Sequence, residues 1–130
     1  MKFAIIVRTG PLASEGSRSA LRFARAVLDN GHSLERVFFH GEGTYNASAL
    51  TVVPQDEDDL TEAWADLGRQ HDLDLVVCVA SALKRGVLDD SEAQRYEKGL
   101  GNMRPPFAIS GLGQLADAAL SVDRLVTFGG

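Results

Sequence analysis

The sequence predicts one α/β domain over residues 1–130, a three-layer α/β/α sandwich around a five-stranded, mainly parallel sheet. Short apolar runs alternate with segments whose apolar residues repeat at helical spacing, and no linker separates them. Several apolar runs are continuous, which is typical of strands covered by helices on both faces. With 130 residues, of which 45% are hydrophobic, the chain can bury a substantial core.

The first third of the chain predicts a strand, a helix and a second strand. The first strand is the apolar run Phe3–Val7, and a loop through Ser14–Ser17 leads into the helix. Asn30-Gly31 ends the helix, and Arg36–His40 is the second strand. The inner face of the helix is predicted by residues at 3.6-residue spacing, namely Ala20, Phe23, Ala24, Val27 and Leu28, with Arg18, Arg22 and Arg25 facing outwards.

The middle of the chain predicts a loop and a second helix. Gly41–Ala47 is polar, so it is expected to form a loop at the carboxyl end of the second strand. The acidic run Asp56–Asp59 is expected in the first turn of the helix, where the helix dipole favours carboxylates. The buried stripe of this helix is predicted to be Leu60, Ala63, Trp64 and Leu67.

A third strand and a short helix follow. The apolar run that begins at Leu73 is the third strand, and it breaks into a short helical turn. Asp89–Ser91 can cap a short polar helix that continues through Lys98. Its inner side is expected to carry Ala93 and Tyr96.

The last third of the chain predicts a strand, a helix and a strand. Phe107–Ile109 follows two prolines and is the fourth strand. Ser110 is expected to cap the last helix, Leu112–Leu120, and Arg124–Phe128 is the fifth strand.

Cys78, the only cysteine, is predicted near the carboxyl end of the third strand, the edge at which open α/β sheets bind ligands. Backbone N–H groups of a turn that opens at Ser81 and Ala82 would point partial positive charge at the sulfur. Lys84 and Arg85 add two full charges about one turn further on. Both effects favour the reactive thiolate, whereas a lone cysteine in a valine-rich run is also typical of an inert core residue.

Other residues are predicted at the same edge of the sheet. His40 ends the second strand and could approach Cys78 as a proton carrier, or be an ordinary loop histidine. The following polar segment brings Tyr45 and Asn46 to this edge, where they are expected to line the site.

Composition narrows the classes of function. The formal net charge is −5, and no basic cluster exceeds the Lys84-Arg85 pair, so direct binding to nucleic acid or to an anionic membrane is not expected. A single cysteine excludes an internal disulfide and a cysteine-based metal cage. The apolar run near Met1 is too short for a signal peptide and none reaches a membrane span, so a cytoplasmic location is expected.

No metal or organic cofactor is predicted. Gly111-Leu112-Gly113 with Ala116 fits a loose dinucleotide pattern, but it follows a late strand and no acidic residue stands about 20 positions beyond it. Close packing of a helix on the sheet is therefore the preferred interpretation of these glycines.

The chain resembles the DsrE/TusD family of sulfurtransferase subunits. The residues that carry this resemblance span nearly the whole chain in order: Phe3-Ala4-Ile5, Thr9-Gly10-Pro11, Phe23-Ala24, Gly31-His32, Val37-Phe38-Phe39, Glu42-Gly43, Tyr45-Asn46-Ala47, Cys78-Val79-Ala80, Leu83, Arg85-Gly86-Val87, Ser110-Gly111-Leu112-Gly113 and Leu115-Ala116. The resemblance implies a flavodoxin-like (DsrE-like) fold and a cysteine, Cys78 here, that carries sulfur as a persulfide.

The resemblance also implies partners. These are TusB- and TusC-like (DsrH/DsrF-like) subunits in a heterohexamer, a TusA-like sulfur donor and a TusE/DsrC-like acceptor. The pathway would be formation of tRNA 2-thiouridine or sulfur oxidation. Two alternatives stay open: a non-catalytic assembly subunit whose cysteine is structural, and a small flavodoxin-like binding module.

Two segments that flank the predicted cleft are expected to form subunit interfaces, Gly41–Ala49 and Asp89–Asn102. Cys78 should lie near a subunit boundary without being sealed beneath it, and the isolated chain is expected to form homo-oligomers through the same surfaces. The semi-exposed apolar residues that predict these interfaces are Tyr45, Val87, Leu88, Tyr96 and Leu100.

Overall fold

The computed structural model describes residues 1–13 and 15–129, so Ser14 of the predicted loop lies outside the described residues. One parallel sheet has the strand order β4-β3-β2-β1-β5, which confirms the predicted α/β class. The strands are β1 (Lys2–Val7), β2 (Ser33–Phe39), β3 (Leu75–Cys78), β4 (Ala108–Ser110) and β5 (Arg124–Phe128). The helices are α1 (Gly16–Asp29), α2 (Leu60–His71), α3 (Val79–Lys84), α4 (Asp90–Arg95) and α5 (Gly113–Ser121), with a 3-10 helix over Gly41–Ala47.

The two faces of the sheet carry cores of different size. Alternate side chains along the central strands point to opposite faces. On one face, β1, β2 and β3 pack against α1 and α2 in the main core, whose largest side chain is the fully buried Trp64. On the other face, Phe38, Val76 and Cys78 form a small cluster with Ile6 and with Leu115 of α5. Cys78 therefore faces the thinner layer.

Helix α2 begins later than predicted. The acidic run was expected inside the first turn, but the helix starts at Leu60, and Asp59 is its N-cap. The Asp59 carboxylate accepts hydrogen bonds from the N–H groups of Thr61 at 3.0 Å and Glu62 at 3.4 Å. An N-cap residue needs extended backbone to aim its side chain at those groups, so the acids before it remain outside the helix.

Three predicted features after residue 89 are wrong. Ser110 is the last residue of β4 and does not cap α5, whose N-cap is Leu112 without a side-chain cap. Helix α4 ends at Arg95 and not at Lys98, and Tyr96 is 49% exposed instead of facing inwards. Ala93 alone of the two predicted inner residues is buried, because the helix is too short to turn Tyr96 onto the same face.

The segment Gly41–Ala47 is a 3-10 helix and not the predicted loop. It lies so close to the end of β1 that a methyl group at Gly43 would collide with the Val7 carbonyl oxygen. Thr44 and Asn46 are fully buried within it. This packed element forms one wall at the carboxyl edge of the sheet.

Candidate active site

A cleft of about 580 Å³ opens at the carboxyl edge of the sheet. The 3-10 helix, the β3–α3 junction and the β4–α5 connection converge there, because the carboxyl ends of parallel strands share one edge. The lining residues are His40, Gly41, Cys78, Val79, Ala80, Ser81, Lys84, Arg85, Gly111 and Leu112.

Cys78 lies in the wall of this cleft at the junction of β3 and α3. It is the last residue of β3, pairs in register with Ser110 of β4, and is the N-cap of α3. Helix α3 starts at Val79, directly after Cys78, and not at Ser81 as predicted. The N–H groups of its first turn therefore follow the cysteine immediately in the chain. The cysteine is only 3% exposed, because it also belongs to the small apolar cluster.

Ser81 connects the two sides of the cleft. Its hydroxyl oxygen accepts a hydrogen bond from the N–H of Gly41 at 3.0 Å, and the residue is buried. This bond fixes α3 against the start of the 3-10 helix. Ser81 therefore lines the cleft, as predicted, and also connects α3 to the 3-10 helix.

Lys84 and Arg85 are both at the cleft, but in different electrostatic states. The Arg85 guanidinium donates to the Glu42 carboxylate at 3.1 and 3.2 Å and to the Ser81 carbonyl oxygen at 3.1 Å. Its charge is therefore largely paired. Lys84 makes no ion pair within residues 1–13 and 15–129, which leaves its ammonium available to an anion.

His40 lies beside the same cleft. Its backbone N–H donates to the Val7 carbonyl oxygen at 3.0 Å, which holds the residue at the end of β2. The half-buried ring stacks on Phe38 with centroids 6.5 Å apart. Phe38 in turn packs with Cys78, so the histidine and the cysteine share one apolar neighbour.

Tyr45 and Asn46 are not among the residues that line this cleft. Asn46 is fully buried: its Oδ1 accepts from Ser17 Oγ at 2.6 Å, and its Nδ2 donates to the carbonyl oxygens of Thr9 and Gly43 at 3.0 and 2.8 Å. The tyrosine is 37% exposed. The amide of Asn46 thus stabilises the 3-10 helix that forms one wall of the cleft, but it does not line the cleft itself.

Gly111 and Leu112 line the site although the sequence did not predict them there, and Glu42 contacts the site only through Arg85. Gly111 and Leu112 line the cleft, and Leu112 is 59% exposed. A Cβ at Gly111 or Gly113 would meet no atom within 4 Å, so the prediction of close helix packing there is wrong. Their position after β4 was the available signal, because β4 ends at the same edge as β3.

The described residues contain no group of three or more metal-ligating side chains that could hold an ion. Within the same residues, no helix has the length and apolar character needed to cross a membrane.

Comparison with known proteins identifies relatives along the whole chain. A model of the DsrE/DsrF-like family matches residues 1–128. The chain is 51% identical over 130 residues to a protein named sulfurtransferase TusD homolog from Pseudomonas aeruginosa, covering 100% of this chain and 98% of that one. It is 50% identical over 129 residues to sulfurtransferase TusD from Salmonella enteritidis, covering 98% and 100% of the two chains.

The chain is also similar to a second named relative and to one solved structure. The chain is 49% identical over 129 residues to the protein named DsrE from Allochromatium vinosum, covering 99% of each. Among solved structures, the ychN protein from E. coli superimposes with a TM-score of 0.77 at 20% identity, covering 98% of this chain and 99% of that one. The structural likeness supports the fold alone.

Proposed function

The chain belongs to the DsrE/DsrF-like family, and we propose that it is a sulfurtransferase that carries sulfur as a persulfide on Cys78. The observation that carries the proposal is the position of Cys78. The only cysteine of the chain lies at the carboxyl end of a central strand, at the start of a helix and in the wall of an open cleft. The names of the relatives, sulfurtransferase TusD among them, support the same activity.

Loading is a displacement at sulfur. The Cys78 thiolate attacks the outer sulfur of a persulfide on the donor protein, and the bond between the two donor sulfurs breaks. Its electron pair leaves with the donor thiolate, and Cys78 gains one sulfur atom. His40 is the residue of the cleft suited to accept the thiol proton before the attack.

Unloading repeats the same chemistry in the other direction. The thiolate of an acceptor protein attacks the outer sulfur on Cys78, and the electron pair of the broken S–S bond returns to Sγ. No oxidant or reductant is consumed, and no metal or nucleotide is needed. Because this chain has one cysteine, no internal thiol can intercept the persulfide as a disulfide.

The buried position of Cys78 is compatible with a persulfide carrier, because the atom that reacts with the acceptor is the outer sulfur and not Sγ. A disulfide-type S–S bond is about 2 Å long, so the outer sulfur extends that far from Sγ. Lys84, whose charge has no partner among the described residues, is the residue suited to hold the persulfide anion in the cleft. Arg85, paired with Glu42, positions α3 against the 3-10 helix.

The specific pathway is part of the proposal. TusB- and TusC-like subunits in a heterohexamer, a TusA-like donor and a TusE/DsrC-like acceptor would place the chain in a cytoplasmic sulfur relay. Its product would serve tRNA 2-thiouridine formation or sulfur oxidation. Relatives named both TusD and DsrE support this class of relay.

One observation favours a second candidate function, that of an assembly subunit with a structural cysteine. Cys78 is 3% exposed and packs with Phe38 and Val76, as an inert core thiol would. Such a subunit would use the fold only to contact its partners.

Intact-mass analysis separates the two functions. After incubation with a persulfide donor, wild-type chain should gain one sulfur, about 32 Da, which dithiothreitol removes. Cys78→Ser should gain nothing. An unchanged wild-type mass under conditions that load a control carrier protein would overturn the carrier function and favour the structural cysteine.

A further inference from the structure

A second concave surface lies at the other end of α3. It is a groove of about 630 Å³ between the end of that helix and the segment that follows α4. We call it the lysine groove, and its lining residues are Leu83, Lys84, Gly86, Leu88, Tyr96, Lys98, Leu100 and Asn102.

The lysine groove is exposed, apolar and positively charged. Leu100 is 86% exposed and Tyr96 is 49% exposed, so large apolar side chains face solvent there. Two of the three lysines of the chain, Lys84 and Lys98, line the groove, and no carboxylate is among the lining residues. On a chain with net charge −5, this surface is a local exception. Its chemistry is complementary to an apolar segment that carries acidic side chains.

The floor of the groove is a built structure. The side chain of Asn102 donates to the Gly86 carbonyl oxygen at 2.7 Å and accepts from the Leu88 N–H at 2.9 Å. The backbone N–H of Asn102 donates to the Leu88 carbonyl oxygen at 2.8 Å. Val87, which the sequence predicted at an interface, is 1% exposed and anchors this turn in the core instead. The groove is therefore largely preformed, which lowers the entropic cost of binding.

The lysine groove and the Cys78 cleft are neighbouring surfaces that share one lining residue. Lys84 lines both surfaces. Helix α3 separates them and has six residues, which corresponds to about 9 Å of helix. An extended peptide covers that distance with about three residues. A segment seated in the groove can thus place a nearby thiol at Cys78.

We infer that the lysine groove, which the sequence predicts as part of a subunit interface, instead docks an acidic, apolar segment of the sulfur acceptor, with the acceptor thiol about three residues from the apolar anchor. This inference rests on the proposed sulfur transfer for its biological meaning, but the docking itself needs no reaction at Cys78. The apolar side chain would occupy the space between Tyr96 and Leu100, and its carboxylates would meet Lys84 and Lys98. The groove therefore selects which thiol reaches the persulfide.

Peptide binding to the whole chain tests the docking without sulfur chemistry. The probe is a fluorescent peptide of about eight residues, some 26 Å when extended, in which leucines alternate with aspartates and cysteine is absent. Fluorescence anisotropy should show binding to wild-type chain, and Lys98→Glu should weaken it by about tenfold or more through like-charge repulsion. Leu100→Ser should weaken it as well. Lys2→Glu reverses the charge of the remaining lysine, which begins β1 and does not line the groove, and should leave the affinity unchanged.

A peptide with lysines in place of the aspartates provides the second arm and should bind wild-type chain at least about tenfold more weakly. Equal affinities for the two peptides, equal affinities of wild-type chain and Lys98→Glu, or no binding to wild-type chain would each overturn the inference. If Leu100→Ser instead dissociates an oligomer that does not bind the acidic peptide, the groove is a contact between copies of the chain and the inference is also overturned.

A transfer assay then separates docking from carrier function. A version of the acidic peptide that ends in leucine and is extended by two serines and a cysteine has its thiol three residues from that leucine. It should discharge the Cys78 persulfide faster from wild-type chain than from Lys98→Glu, while discharge by dithiothreitol is the same for both. Equal peptide rates would overturn the inference. Peptide binding to a chain that never loads sulfur would retain the docking site and overturn the carrier function alone.

Discussion

The buried amide of Asn46 allows a direct test of how much its hydrogen bonds stabilise the wall of the cleft. Replacing it in Asn46→Ala removes three hydrogen bonds at once, to Ser17 and to the carbonyl oxygens of Thr9 and Gly43. Ser17 Oγ keeps the hydrogen bond that it accepts from Trp64 Nε1, so the loss is counted as hydrogen bonds and not as unpartnered groups. At about 1 kcal/mol for each of the three hydrogen bonds, the cost is about 3 kcal/mol. That is a large part of the stability of a domain of this size.

Urea unfolding measures this cost. With a dependence of about 1.5 kcal/mol per M, a loss of 3 kcal/mol lowers the midpoint by about 2 M. Asn30→Ala is the matched control, because Asn30 is exposed and its side chain makes one hydrogen bond, to Ala26. Its midpoint should fall by only about 0.3 M, corresponding to roughly 0.5 kcal/mol. Asn46→Asp keeps the shape but places a carboxylate against two carbonyl oxygens, so it should be at least as destabilised as Asn46→Ala at neutral pH.

The same variant should affect the cleft, because Asn46 fixes the 3-10 helix that forms one wall. Iodoacetamide should alkylate Cys78 faster in Asn46→Ala than in wild-type chain under native conditions, since local opening exposes a thiol that is 3% exposed. A midpoint change no larger than that of Asn30→Ala would refute the reasoning, and so would an unchanged alkylation rate in a clearly destabilised chain.

Two further predictions concern charge. Glu42→Gln releases the Arg85 guanidinium from its ion pair, so alkylation of Cys78 should accelerate by about threefold, as expected for a partly exposed charge pair. This acceleration should shrink in about 1 M salt. A slower alkylation than in wild-type chain would contradict the prediction. Asp59→Ala removes the N-cap of α2, including its bond to Thr61, and should cost about 1 kcal/mol in urea unfolding, whereas Asp59→Asn should retain most of that stability.

Elements with continuous apolar runs could be predicted closely from the sequence. Arg124–Phe128 is the fifth strand both as predicted and as observed, because polar residues bound a short run of β-formers. Most of the predicted stripe of α2 is also confirmed, since Leu60, Trp64 and Leu67 are buried. Its fourth member, Ala63, is partly buried against the same core. Here local pattern and tertiary packing agree.

The 3-10 helix shows where pattern fails. Its residues are mostly polar, so nothing in the local sequence distinguishes it from a surface loop. Thr44 and Asn46 are nevertheless buried. The Thr44 hydroxyl donates locally to the Gly41 carbonyl oxygen, whereas the Asn46 amide bonds to Ser17 and Thr9, far along the chain. Burial of this kind depends on contacts that no periodicity encodes.

The electrostatics of the cleft show the same limit. The sequence placed Lys84 and Arg85 together as two equivalent charges beside Cys78. In the structure, Arg85 pairs with Glu42, 43 positions earlier, whereas Lys84 has no ion pair with any residue that the structure describes. Adjacent side chains at a helix point in directions about 100° apart. Arg85 therefore faces the 3-10 helix, whereas Lys84 lines both the cleft and the lysine groove.

The pairing of β1 with β5 has a consequence for biosynthesis. The Lys2 N–H donates to the Asp123 carboxylate at 2.8 Å across a separation of 121 positions, and β5 pairs along the edge of β1. While the chain is being made, β1 keeps that edge unpaired until residues 124–128 have left the ribosome. An unpaired parallel edge is a template for association with other chains, and such distant contacts form slowly. Completion of this sheet therefore waits until residues 124–128 have been made and have left the ribosome, and chaperone dependence should be greatest for nascent chains that stop just short of β5.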